Sequence, residues 1–291
     1  MKYQQTKSQN VLVFGATGNQ GGTVARHFLQ AGFGVKAVTR HPERDDAKEL
    51  ASEGAELVQT DLYDRASLSK AMENVYGIYL VLPFFQENQN REVEMGRNVI
   101  DAAKDRKIQH LVYSSGSRAN ERTGVPHLDS KGEIERYLRS SGIPNTVLRP
   151  VAFNYSLEAY RDSVLQGILP DPRSGDSVVY QVSEHDHATF ATMAFLDPQN
   201  WLDRSFETAS DALTVAEMAR VFSNVVGKPV KHKQISWSEE EEIAGKEVVR
   251  LSKWVEKDGP RINLDARKHK YPWLTSLEDY LLTHGWLNAA S

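Results

Sequence analysis

The chain of 291 residues contains no cysteine. That absence excludes disulfides, thiolate catalysis and cysteine-ligated zinc. It also lacks an excess of charge of either sign. Its 35 basic and 39 acidic residues give a formal net charge of −4, so no electrostatic case for nucleic-acid binding arises. No uninterrupted apolar run is long enough to span a membrane. Residues 1–10 are polar and lack the apolar core of a signal peptide, so a cytoplasmic protein is expected. There is no internal repeat and no low-complexity linker. What is present is ordinary for a globular protein: 40% hydrophobic and 25% charged residues. The length suits one large domain, or a nucleotide domain with a smaller companion.

Strand and helix patterns alternate from the start. Strands are expected over 11–14, 35–39, 57–58, 77–82, 111–113 and 146–148. Helical patterns fall between them, over 45–53, 66–72 and 130–138, with two further amphipathic segments. One carries Val24, Ala25, Phe28 and Leu29 on a face, the other Gly96, Val99, Ile100 and Ala103. This alternation predicts a doubly wound parallel sheet whose strand ends line a ligand-binding rim. The rhythm changes after Pro150, where prolines and glycines cluster over 167–175 and the elements shorten. All five tryptophans lie in this half. The division expected is a nucleotide domain over 1–153 and a smaller, mostly helical domain over 154–291, with some segments of the latter returning to the sheet.

The strongest motif is Gly15-Ala16-Thr17-Gly18-Asn19-Gln20-Gly21-Gly22, directly after the apolar run Val11-Leu12-Val13-Phe14. A strand, a glycine turn and a helix start together suit a pyrophosphate: the backbone approaches closely, and the helix N-terminus offers N–H groups and partial positive charge. The spacing departs from G-x-G-x-x-G and is nearer the T-G-x-x-G form. Gly15, Thr17, Gly18, Asn19, Gln20 and Gly21 are therefore candidate cofactor contacts. At the tip of the second strand stand Thr39 and Arg40, with Arg44 nearby, where an acid normally holds the ribose of NAD. A guanidinium there forks onto a 2′-phosphate, so NADP(H) is the expected cofactor, with NAD(H) as the lesser one. Glu43 is a counter-signal, and a solvated arginine is the alternative. Asp61 and Leu62 follow the third strand beside the expected adenine; Asp61 either accepts from its amine or caps the next helix. Leu82, Pro83, Phe84 and Phe85 follow the fourth strand on the nicotinamide side, or merely pack there.

His127 and Lys131 stand four apart at the mouth of the 130–138 helix, downstream of Ser114 and Ser115. They are the candidate catalytic residues. The Lys131 charge favours a neutral His127 imidazole, which is a poor proton donor at neutral pH. His185-Asp186-His187 has metal-like spacing but no third ligand in sight, and Asp186 reads as a helix N-cap, so no metal is expected. Ser236 followed by Glu239 reads as a capped, acidic first helical turn.

These residues resemble the NmrA-like family, an atypical branch of the short-chain dehydrogenase superfamily. The resemblance rests on residues 15–22, Val38-Thr39-Arg40, Val112-Tyr113-Ser114 and His127-x-x-x-Lys131 running into Gly132-Glu133-Ile134-Glu135. Histidine occupies the place of the superfamily's catalytic tyrosine. The resemblance implies an α/β Rossmann-type domain that binds NAD(P), with a smaller C-terminal domain forming a cleft. It implies that Lys131 and Ser114 contact the nicotinamide half, and that Phe153 lines it beside Asn154 and Tyr155. Some members are cofactor sensors that act through a protein partner, and without the tyrosine this is the leading expectation. Others are similar to NADPH-dependent quinone reductases, and related plant reductases use a lysine near this place as proton carrier. The rival expectation is therefore a reductase of quinones, enals or ketones using Lys131 or His127. The expected partners are a nicotinamide dinucleotide and either a regulatory protein or a small hydrophobic electrophile, with neither nucleic acid nor membrane.

Overall fold

The computed structural model describes residues 9–83 and 89–286. In chain order the elements begin β1 (Asn10–Val13), α1 (Asn19–Gln30), β2 (Gly34–Thr39), α2 (Asp45–Ser52), β3 (Glu56–Gln59) and α3 (Arg65–Ala71). Next come β4 (Gly77–Leu80), α4 (Gln89–Asp105), β5 (His110–Ser114), α5 (Pro126–Ser141) and β6 (Asn145–Pro150). They continue with β7 (Ala152–Phe153), a 3₁₀ helix (Asn154–Tyr160), α6 (Arg161–Leu165), β8 (Ile168–Asp171), β9 (Val178–Val182), α7 (Glu184–Leu196), α8 (Pro198–Trp201) and β10 (Arg204–Thr208). The last are β11 (Asp211–Thr214), α9 (Val215–Val226), β12 (Lys231–Gln234), α10 (Trp237–Ala244), α11 (Lys246–Asp258), α12 (Leu264–Lys270) and α13 (Leu277–Thr283). The described residues fall into two compact units. The first lies within Met1–Pro150 and His187–Thr208, the second within Val151–Asp186 and Ala209–Ser291.

The first unit is built on a seven-stranded sheet in the order β10-β6-β5-β4-β1-β2-β3. Every neighbouring pair is parallel. This is the doubly wound α/β architecture expected from the alternation. Its central strands are apolar on both faces because helices cover both: β4 and β5 are buried at every position. On one side, α1 presents Val24, Ala25 and Phe28 to the sheet. Phe28 meets Phe33, Tyr79 and Phe195 edge-on, with ring centroids 5.2–6.3 Å apart, a geometry that aligns ring edges with ring faces. The strand order reverses direction between β1 and β4, which fixes the switch point. The parallel sense puts the chain just after β1, β2, β3, β4 and β5 on one rim.

Two helices start earlier than the sequence pattern suggests. Helix α5 begins at Pro126 rather than 130, because proline at the first helical position has a preset φ and loses no hydrogen bond there. Helix α7 begins at Glu184 rather than 187. Asp186 is therefore not an N-cap. It sits inside the first turn and accepts hydrogen bonds from the backbone N–H and hydroxyl of Thr275, both at 2.8 Å.

The second unit holds a three-stranded sheet, β11-β9-β7, and a two-stranded one, β12-β8. Helix α9 buries Val215, Met218, Ala219, Phe222, Val225 and Val226, a helical-period stripe. It packs with Leu277, Tyr280, Leu281 and Trp286 around one core. Helices α9 and α10 both start on reciprocal capping boxes, Thr214 with Glu217 and Ser236 with Glu239. No helix among the described residues is long and apolar enough to cross a membrane.

Candidate cofactor-binding site

The glycine turn has a steric reason for two of its glycines. Gly15 has φ +67°, a left-handed conformation, and a Cβ there would lie 2.8 Å from Val81 Cγ1. A Cβ on Gly21 would lie 2.3 Å from the Gly15 carbonyl oxygen, too close for any side chain. These contacts draw the start of α1 against the end of β1. Gly18 is the N-cap of α1, is exposed, and makes no side-chain cap. The first turn of α1 holds no acidic residue. Its leading N–H groups have no intrahelical acceptor and face outward with the positive end of the helix dipole. Thr17 and Gln20 are half-buried and Asn19 is exposed. Among the described residues a phosphate fits this cradle: backbone N–H donors at the helix start and no acidic residue in its first turn.

At the tip of β2, Arg40 is exposed. Its neighbours have local partners. Arg44 forks onto Asp46 at 2.9 and 3.2 Å. Glu43 takes the His41 ring at 3.1 Å. Thr39 is buried and its hydroxyl oxygen accepts the His41 N–H at 3.1 Å, which leaves its own proton to donate. Asp61 is exposed and accepts the Tyr63 N–H at 3.0 Å, while the cap of α3 is Asp64. Leu62 is half-buried against the core, Leu82 is buried in it, and Pro83 is exposed. Phe84 and Phe85 lie outside the described residues. Phe153 belongs to the second unit, where it stacks on Tyr155 with centroids 5.2 Å apart.

Beyond β5 the chemistry turns inward. The Ser115 hydroxyl donates to Glu135 at 2.6 Å. Arg149 forks onto the same buried carboxylate at 2.6 and 2.9 Å. Lys131 is buried and donates to Glu92 Oε1 at 2.6 Å, and Ser130 donates to Glu92 Oε2 at 2.6 Å. Glu92 itself is fully buried in the first turn of α4, where the helix dipole favours its charge. The Tyr113 hydroxyl is buried with no hydrogen-bond partner among the described residues. Burial, then Glu92 and Glu135, raise its pKa. His127 and Lys131 share a face of α5. Burial, with the Lys131 charge added, lowers His127 to about 3, so its imidazole is neutral at neutral pH.

A second network escaped the sequence pattern. The Tyr79 hydroxyl donates to Gln20 Oε1 at 3.0 Å and lies 3.0 Å from His187 Nε2. His187 Nδ1 lies 2.9 Å from Thr208 Oγ1, and Ser114 Oγ is 3.3 Å from Nε2. These contacts suit the tautomer in which Nε2 donates to Tyr79 and Nδ1 accepts from Thr208. The first turn of α1 is thereby tied to β4, β5, α7 and β10 through buried polar groups. Nothing in the local sequence announces it, because its members come from five separate elements.

A family model described as the NmrA-like family matches residues 7–269. The chain is 30% identical to the NmrA-like family domain-containing oxidoreductase hkm9 of Aspergillus hancockii over 257 residues, which cover 78% of this chain and 76% of that one. It belongs to the NmrA-like family. Among solved structures, the triphenylmethane reductase of Citrobacter sp. complexed with NADP(H) superposes with TM-score 0.81 at 22% identity, covering 98% of this chain and 100% of that one. NmrA, a negative transcriptional regulator, in complex with NADP superposes with TM-score 0.77 at 22% identity, covering 96% and 95%. These two share the fold.

Two predictions follow from the buried groups. Lys131→Met leaves the Glu92 carboxylate buried and uncompensated, and should cost about 3–5 kcal/mol in urea denaturation. Replacing both residues by methionine should restore most of that loss; small, additive losses would contradict a coupled pair. His110 and His187 are fully buried, and burial lowers them to about 4 and about 3 from 6.5. Such groups take up a proton more readily once unfolded. Their contribution is complete above the unfolded value of 6.5 and is lost as pH falls toward the folded ones. Stability should therefore decline below about pH 6.5, by up to about 1.4 kcal/mol per pH unit for each histidine. His187→Gln should remove its share of that slope, and an unchanged slope would refute the assignment.

Proposed function

We propose that this chain binds NADP(H) along the rim of its parallel sheet and acts as an NADPH-dependent reductase. Its acceptor would be an electrophile that needs no proton from the protein at the moment of reduction, such as a quinone or a delocalised carbocation. The observation that carries the cofactor assignment is Arg40. It is exposed at the tip of β2, where the nearby Arg44 and Glu43 are held by Asp46 and His41. An arginine in that place suits a 2′-phosphate rather than a bare ribose.

In this reading the turn from Gly15 to Gly21 receives the pyrophosphate, and the first turn of α1 supplies N–H donors. Asp61 and Leu62 border the adenine, while Leu82, Pro83 and Ser114 border the nicotinamide half. When bound, the reduced nicotinamide supplies a hydride. Lys131 holds its ammonium on Glu92, and His127 stays neutral, so neither is poised as a strong acid. That favours acceptors whose reduced form gains its proton from water. The oxidoreductase naming of the Aspergillus hancockii relative and the NADP(H)-bound reductase with the same fold support this reading.

The same lack of a poised acid favours a second reading: a cofactor sensor acting through a protein partner, as the NADP-bound regulator with this fold suggests. Loss of reduced-nicotinamide absorbance separates the two. Saturable NADPH oxidation with quinones or triarylmethyl cations is expected. Tight NADPH binding with no turnover on either class would overturn the reductase reading and leave the sensor. For the cofactor itself, Arg40→Ala should weaken NADPH about tenfold to a hundredfold in calorimetry, the loss of one charge-assisted phosphate contact. NADH should change by less than about threefold. Equal losses for both would refute the role of Arg40.

A further inference from the structure

The second unit brings together three groups that the chain keeps far apart. Glu184 and His185 open helix α7, and His284 closes helix α13. One ligand atom from each lies within 4.8 Å of the others. Glu184 is only 8% exposed, and its Oε2 is buried with no hydrogen-bond partner among the described residues. Its Oε1 lies 3.5 Å from His284 Nε2 and, among the described residues, takes a long hydrogen bond, 3.4 Å, from the Tyr280 hydroxyl. A buried carboxylate with one bare oxygen and one weakly held oxygen is stabilised by a positive centre nearby.

The orientation of His284 says where that centre belongs. Its Nδ1 lies 2.8 Å from the Tyr280 carbonyl, and its ring stacks on the Tyr280 ring with centroids 3.9 Å apart. The Thr283 hydroxyl, 3.0 Å from Nδ1, gives its proton to the Asp279 carbonyl at 2.9 Å, and the Tyr280 carbonyl only accepts, so Nδ1 carries the proton; in neutral imidazole the Nε2 lone pair then faces the Glu184 carboxylate. Two acceptors 3.5 Å apart repel unless a cation lies between them. A backbone carbonyl fixing the tautomer is also the usual outer support of a metal-bound histidine. The separation suits a metal: ligands at about 2.0 Å in a tetrahedron stand about 3.3 Å apart. The His185 ring is exposed, with its centroid 6.1 Å from that of His284.

We infer that Glu184, His185 and His284 form a site for a divalent transition metal of the zinc class, with water as the fourth ligand. One carboxylate and two imidazoles form a donor set of the kind zinc accepts. The metal would fasten the end of α13 to the start of α7 within this unit. His187 takes no part, since both its ring nitrogens are committed to the Tyr79–Thr208 network.

The test is calorimetry of the full chain with zinc after chelator treatment, with cobalt as a spectroscopic probe. One saturable equivalent is expected, with the visible bands of four-coordinate cobalt and a raised melting temperature in zinc. Glu184→Gln and the surface change His185→Asn should each weaken zinc at least about tenfold, as losing a ligand is no milder than losing its outer support. Circular dichroism checks that both variants fold. Two results would overturn the site: no saturable zinc binding, which leaves only a proton between Glu184 and His284, or binding that both variants retain.

Discussion

The close approach of Gly21 to the Gly15 carbonyl is the constraint on which the rest depends. With no room for a Cβ between them, the start of α1 sits hard against the end of β1. That contact aims the N-terminus of the helix at the rim where a parallel sheet takes its ligands. Had either residue a side chain, the turn would open and the donors of α1 would point elsewhere. The Gln20–Tyr79–His187 chain holds the start of the same helix, pairing half-buried Gln20 with buried Tyr79 and His187. A steric lock and a polar network together fix one backbone segment, and the proposed cofactor role asks no more of it.

The polar groups beyond β5 are used differently from what the family motif suggests. A lysine four residues after a histidine invites an acid–base reading. In the fold, Lys131 instead neutralises the buried Glu92 carboxylate. His127 is kept neutral chiefly by burial, with Lys131 as the lesser cause. Glu135 is balanced in turn by Arg149. The layer beneath the expected nicotinamide half is thus a set of closed ion pairs. Under the proposed reductase role, the driving force comes from the acceptor rather than from a protein acid.

How much of this was legible in the sequence follows from range. The parallel sheet and the glycine turn were readable because their signals are local: apolar runs, glycines at fixed offsets, and a helix stripe beginning at Val24. The cap at Ser236 was readable for the same reason. The start of α5 was misplaced because the apolar stripe is weak there, although Pro126 marked the boundary. Asp186 looked like a cap because its true partner, Thr275, lies in a distant segment. The third group of the Glu184 cluster was invisible beside His185 for the same reason, since it is His284. Nothing local marks Glu92 and Glu135 as buried; only packing shows it.

The central claim, that a bare backbone turn grips a dinucleotide phosphate, is tested most directly by titrating isotope-labelled protein with NADPH and following its amide resonances. The account predicts that the largest shifts fall on Thr17 to Gly21 and vanish in Gly21→Ala under conditions where that variant is folded. Binding that leaves those amides unmoved while shifting others would contradict it.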